Sequence, residues 1–431
     1  MSAFAPVAER RRPAAFQPGT RGFTFVTSMS IGMTALAIDT ILPAFDEIRA
    51  HLGLEPGATE LTLLVSAFLI GFGVGQLPAG LLADRFGRRP VLWGGLGLYI
   101  VAALATSVAP SLWTMAAARF VWGLGAAGPR VAVTAMVRDA FSGEQMARQM
   151  STIMAVFLLI PMFAPGMGAA LLTVGSWQWT IWICAILGIF VVALGIRLPA
   201  TLPVDQRRSL DLGEVWTSWR MVFSAPATVP YMFAITLATG VFLSYLASSE
   251  NFFEVVFDLG DWFPIIFGVM AFGLAGAAIL NGRVVEAAGL PRLMRVSTIA
   301  FVVSAAAMLT LSLLASGTPS FWVFAPVMLL ALMSLQVMIV NANTAAMVPL
   351  GHVAGSGAAL LGMVPLVFGS LLGSAIDQQF DGSMTPLSAA FLGASVLVFG
   401  IIRYALRISE LPPIKESAQH EVDCLEVGIG G

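Results

Sequence analysis

The stretch Gly80-Leu81-Leu82-Ala83-Asp84-Arg85-Phe86-Gly87-Arg88-Arg89 sets four charges into ten residues. The chain around it has 431 residues, of which only 11% are charged and 58% are hydrophobic. A soluble protein carries about a quarter charged residues. Long apolar runs stand on both sides of the stretch, so it reads as a tight polar turn between two membrane spans. Its glycines suit a sharp turn and a close approach of helices.

Outward from this turn, twelve apolar runs lie at roughly 22–45, 60–83, 90–109, 111–136, 152–174, 179–197, 227–248, 262–281, 293–315, 319–341, 353–376 and 385–402. Each approaches the roughly 20 residues that a helix needs to cross about 30 Å of hydrocarbon. They are too long for barrel strands and do not alternate as such strands do. The expectation is an all-α membrane protein of twelve transmembrane helices. Alternating spans put Arg10, Arg21, Arg85, Arg88, Arg89, Arg138, Arg148, Arg207, Arg220, Arg283, Arg295, Arg403 and Arg407 on one side, and Arg49 alone on the other. The basic side is thereby expected to be cytoplasmic, with both termini there. The opposite connections hold acids instead, among them Asp46, Glu47, Glu250 and Glu254.

The longest polar interruption, 198–225, reads as a cytoplasmic linker between two six-helix bundles, 21–197 and 226–408. Residues 1–20 and 409–431 read as cytoplasmic tails. Gly80, Asp84 and Gly87 before the third span are echoed by Gly282, Glu286 and Gly289 before the ninth. Such parallel repeats imply two pseudo-symmetric halves related by an axis along the membrane normal.

A net charge of −2 gives no argument for nucleic acid. Two cysteines and three scattered histidines form no disulfide framework and no metal-ligand spacing. No phosphate-binding glycine loop with lysine is present, which argues against a nucleotide as the energy source. An enzyme would need a cluster of catalytic side chains within the bundle, and none is visible.

The turn, continued as GLLADRFGRRPVL, resembles the signature loop of the major facilitator superfamily. Asp39 followed by Leu42, Pro43 and Ala44 resembles a helix-1 motif of its twelve-helix drug:proton antiporters, of the bicyclomycin/chloramphenicol exporter type. Arg119 with Gly123, Gly125, Ala126 and Ala127 resembles the helix-4 motif of that group. Pro165, Gly166 and Gly168 resemble a degraded helix-5 antiporter motif, and Trp177 and Trp179 the paired tryptophans that open helix 6. Trp122, in place of a glutamine, and the additional Arg130 depart from the pattern.

The resemblance implies a proton-coupled exporter of small molecules (drugs or metabolites) in the inner membrane, working by alternating access. It is expected to be a monomer that uses a proton gradient and no cofactor. The alternatives are a uniporter or a proton-coupled importer on the same fold. A sensor without flux is more distant, as is an enzyme.

Charged residues inside spans are costly and face protein or a wet cavity. Arg119 and Arg130 stand eleven residues apart, about three full turns, so both point the same way. Asp39 is the clear interior acid of the first half. The expected proton-coupling pair is Asp39 with Arg119, since a nearby cation favours the carboxylate and desolvation disfavours it. Arg130, Trp122, Gln336, Asn341, Asn343 and Glu250 are expected at the substrate cavity. One acid against two arginines implies neutral or weakly anionic cargo. Gly80, Asp84, Arg85, Gly87, Arg88, Arg89 and Asp139 are expected to form a cytoplasmic gate. In it, Arg88 would pair with Asp139, and Asp84 would meet the start of the eleventh helix near Ala354.

Overall fold

The computed structural model describes residues 16–55, 59–203, 207 and 212–409. The expected tails lie almost wholly outside them. Among the described residues there are fourteen α-helices and no strand. They are α1 (Arg21–Asp39), α2 (Phe45–Leu52), α3 (Thr62–Phe86), α4 (Arg88–Ser107), α5 (Leu112–Ala140), α6 (Gly143–Leu172) and α7 (Gln178–Gly195). There follow α8 (Leu212–Ser224), α9 (Thr228–Val255), α10 (Phe263–Ala288), α11 (Leu290–Leu314), α12 (Phe321–Met347), α13 (Ala354–Asp377) and α14 (Thr385–Ile408). Twelve stretches are long and apolar enough to cross a bilayer, with α1 and α2 together forming the first. The residues read as a linker hold the helix α8.

Local sequence explains where the helices start and stop. The Thr20 hydroxyl accepts from the Phe23 amide and caps α1. Ser111 and Thr114 form a reciprocal capping box at the start of α5. The first six spanning segments pack among themselves: α3 against α5, α4 against α5 and α7, and α1 against α6 and α7. The last six do likewise, with α9 against α12, α13 and α14, and α11 against α12 and α14. The two groups meet through α3 with α13 and through α6 with α10.

The charged turn is shorter than its sequence suggests. Residues up to Phe86 are still helical, and Arg88 already begins the next helix. Gly87 alone makes the turn, with φ +94° and ψ 163°. The same device recurs at Gly289, φ +79° and ψ 144°, between α10 and α11. Gly289 follows Gly87 by 202 residues (289 − 87), so the echo in sequence is also an echo in backbone geometry. The close approach expected of Gly80 does not occur, because nothing lies within 4 Å of a Cβ built there.

Gly87 occupies a region that is essentially closed to other residues. Gly87→Val is expected to destabilise the protein by about 1–3 kcal/mol. Gly80→Ala should be neutral, or stabilising by up to about 1 kcal/mol, as for glycine inside any helix. The midpoints of thermal unfolding of the purified variants check both.

Candidate functional site

The first span is broken, and Pro43 breaks it. In a continuous helix residue 43 would donate its amide to the carbonyl of residue 39; proline has no N–H, and its ring collides with that carbonyl. α1 accordingly ends at Asp39, a 3-10 turn runs over Leu42–Ala44, and α2 starts at Phe45. Asp39 is 2% exposed at this break. Among the described residues it forms no ion pair. α9, from the other group of six, packs against the 3-10 turn at the break.

α6 lies directly on the break. A Cβ added at Gly168 would run into the Thr40 carbonyl and stand 3.3 Å from the Pro43 ring. Gly166, by contrast, faces open space. α2 is held from the far side: the Trp177 amide donates to the Glu47 carboxylate at 2.9 Å, and the His51 and Trp177 rings lie 5.4 Å apart.

Arg119 is fully buried. Its Nε donates to the Leu64 carbonyl at 3.2 Å and its Nη1 to the Ala37 carbonyl at 2.9 Å. The guanidinium also lies 4.8 Å from the Phe68 ring centre and 4.9 Å from that of Trp122. These cation–π contacts compensate part of the loss of water. Arg119 thus ties α5 to α3 and α1. It reaches α1 through the backbone two residues before Asp39 and makes no ion pair with the carboxylate. The two arginines expected on one face meet different neighbours: Arg130 is half-buried over the Phe157 ring of α6 at 5.4 Å.

The acid-rich end holds an ion pair that sequence reasoning did not assemble. Arg49 of α2 binds Glu250 of α9 with both terminal nitrogens, Nη1 to Oε1 at 3.1 Å and Nη2 to Oε2 at 2.8 Å. Arg49 also bonds Asp46 and the Asn251 side-chain carbonyl. Both members of the pair are buried. Among the described residues this is the ion pair that joins the two groups of six. Glu250 therefore enters the site as a neutralised acid.

At the opposite end Arg88 bridges two acids. Its Nη1 lies 2.5 Å from Asp84 and its Nε 2.9 Å from Asp139. Thr201 donates to Asp139 at 3.2 Å, and Arg89 donates to the Ile196 carbonyl at 2.8 Å. Arg85 lies over the neighbouring Phe86 ring. Asp84 thus meets Arg88 of its own half, while α13 begins at Ala354. The side chains of 351–356, and that of Glu286, lie outside the described residues.

The profile of the Major Facilitator Superfamily matches residues 24–374. The chain belongs to the Major Facilitator Superfamily. It is a membrane transporter, a multi-pass protein of the inner membrane, and not an enzyme. It is similar to the uncharacterized MFS-type transporter YdgK of Bacillus subtilis, 26% identical over 381 residues that cover 86% of this chain and 92% of the relative. It is also similar to the bicyclomycin resistance protein homolog of Haemophilus influenzae, 26% identical over 389 residues that cover 89% and 96%. Among solved structures the nucleoside transporter NupG shares the fold at a TM-score of 0.68, with 12% identity over 90% of this chain and 98% of that one.

Within this facilitator fold the remaining candidate residues separate. Trp122 is 1% exposed and sealed edge-on against Phe68 and Tyr99, so it packs spans 2, 3 and 4 and presents no open surface. Asn341 of α12 donates to Asn281 of α10 at 2.7 Å and is a buried clasp between two spans. Asn343 bonds its own helix at Ile339, and Gln336 is half-buried. Asp377, at the end of α13, was missed. Its Oδ1 accepts from Ser244 at 2.5 Å and Ser248 at 2.8 Å, both on α9. The two serines stand four residues apart on α9, one helical turn, and that spacing was the available signal.

Two outcomes follow from this packing. Gly168→Ala forces a methyl into the Thr40 carbonyl and should cost about 1–3 kcal/mol, whereas Gly166→Ala, with open space around it, should be neutral or stabilising by up to about 1 kcal/mol. Arg49→Met leaves Glu250 buried without a partner and should cost about 3–5 kcal/mol, most of it recovered in Arg49→Met/Glu250→Met. A double-mutant cycle on unfolding midpoints reads that coupling.

Proposed function

We propose that this transporter exports small molecules in exchange for protons, with Asp39 as the proton-carrying group. The observation that carries this reading is the enclosed Asp39 carboxyl at the break of the first span, without an ion-pair partner among the described residues. An acid held in an apolar bundle marks a proton or substrate pathway. Arg119 reports on the backbone beside it, so a shift of α5 or α3 against α1 changes the surroundings of Asp39. The name of the bicyclomycin-resistance relative supports the direction of transport and a drug-like cargo.

Alternating access then runs between two clasps. At the end read as extracellular, Arg49 and Glu250 hold the halves together. At the end read as cytoplasmic, Asp84, Arg88 and Asp139 brace the first half, and Asp84 engages the start of α13 when that end closes. The cargo is neutral or weakly anionic, because Glu250 is already neutralised and Arg130 is half-buried. The transporter acts as a monomer, draws on the proton gradient and uses no cofactor.

The test is transport by the purified protein in proteoliposomes under an imposed proton gradient, with bicyclomycin, chloramphenicol and a panel of metabolites. Substrate-linked proton movement is expected, with Asp39→Asn falling to the rate seen without a gradient. Full gradient-driven flux in Asp39→Asn removes Asp39 from the role. Flux that no gradient alters makes the protein a uniporter. Preferential export of quaternary ammonium cations overturns the charge assignment of the cargo.

A further inference from the structure

At the arginine-rich end of the bundle, α11 and α14 run side by side in opposite directions. Arg295 and Ile299 stand one turn apart on α11, and Phe399, Arg403, Leu406 and Arg407 form a stripe along α14. The two stripes line a groove of 410 Å³. We propose that this groove binds the phosphate headgroup of an anionic phospholipid.

Charge is the first argument. Three guanidinium groups and no acid line the groove. Among the described residues none of the three has an ion-pair partner. Three like charges around one concave volume repel one another until an anion enters. Planar guanidinium forks match a phosphate in geometry as well as charge. The ordinary accounts of such arginines cover only part of this set. Arg407 lies in the last turn of α14, where the helix dipole favours a cation. Arg295, the sixth residue of α11, stands beyond the first turn, and the dipole gives it no support. Snorkelling would send each arginine to water separately and does not require them to share a groove with exposed apolar side chains.

Those side chains are the second argument, and they select a lipid over free phosphate. Ile299 is 50% exposed, and Phe399 and Leu406 are half-buried along the same groove. Further from the end, Val303 on α11 and Val396 and Leu397 on α14 are exposed as well. An acyl chain can therefore follow the two helices toward the middle of the bilayer while its phosphate stays among the arginines. A volume of 410 Å³ suits a headgroup with its glycerol. The bound lipid would bridge the start of α11 and the end of α14.

Native mass spectrometry of the full chain, released from detergent, tests this with three probes: dioleoyl phosphatidylglycerol, dioleoyl phosphatidylcholine and inorganic phosphate. Phosphatidylglycerol should be retained in preference to phosphatidylcholine. The variant Arg295→Gln/Arg403→Gln/Arg407→Gln should weaken phosphatidylglycerol binding at least about ten-fold, the loss of one charge-assisted hydrogen bond. Should that variant fail to insert, Ile299→Trp fills the groove with every charge kept and should weaken binding likewise. Equal retention of the two lipids, or unchanged binding in these variants, overturns the proposal. Retention of inorganic phosphate that phosphatidylglycerol does not displace assigns the groove to free phosphate. Absence of any adduct on the full chain overturns the lipid.

Discussion

Arg49 and Glu250 stand 201 residues apart in sequence and meet buried, two nitrogens on two oxygens. A charge in such surroundings is tolerated only with a partner of opposite charge or a full set of hydrogen bonds. The pair therefore fixes where α2 and α9 must lie whenever both are dry. Other buried polar groups are held by different means. Arg119 donates Nε and Nη1 to two backbone carbonyls and lies against two aromatic rings, Arg88 bridges two carboxylates, and Asp377 accepts from two serines.

Several of these solutions converge on two turns of α9. Ser244 and Ser248 hold Asp377, Glu250 and Asn251 hold Arg49, and α9 also packs against the 3-10 turn of the break. A movement of α9 is thus felt at the break of the first span, at the acidic-end clasp and at the end of α13 together. The break itself separates two duties. α1 carries Asp39 and is gripped by Arg119, while α2 carries Arg49 and docks on the start of α7. Gly168 lets α6 press on the hinge between them.

The architecture was legible because hydrocarbon imposes a length and a polarity on every span, and both are written locally. The spans, the turn at Gly87 and its echo at Gly289 could all be read from short windows, whereas the first span was read straight through Pro43, where the helix breaks. The Arg49 pair could not, since nothing near Arg49 points to Glu250; its one local sign was a lone arginine on an acidic side. Trp122, standing where the resembled motif has a glutamine, and Asn341, a polar residue inside a span, were expected at the cavity, yet neighbouring helices close over them. Asp377 sits at a span boundary, where an acid looks like an ordinary loop residue until α9 is placed beside it.

The one-residue turns have an evolutionary consequence. An added residue at Gly87 would rotate α4 by about 100° relative to α3. Tyr99, whose hydroxyl donates to the Met33 carbonyl at 2.9 Å, would then face away from α1. A removed residue would do the same in the other sense. Loops usually absorb changes of length, but this one has no slack. Gly87 is thus held in length as well as in residue type, and the one-residue turn at Gly289 is held in the same way.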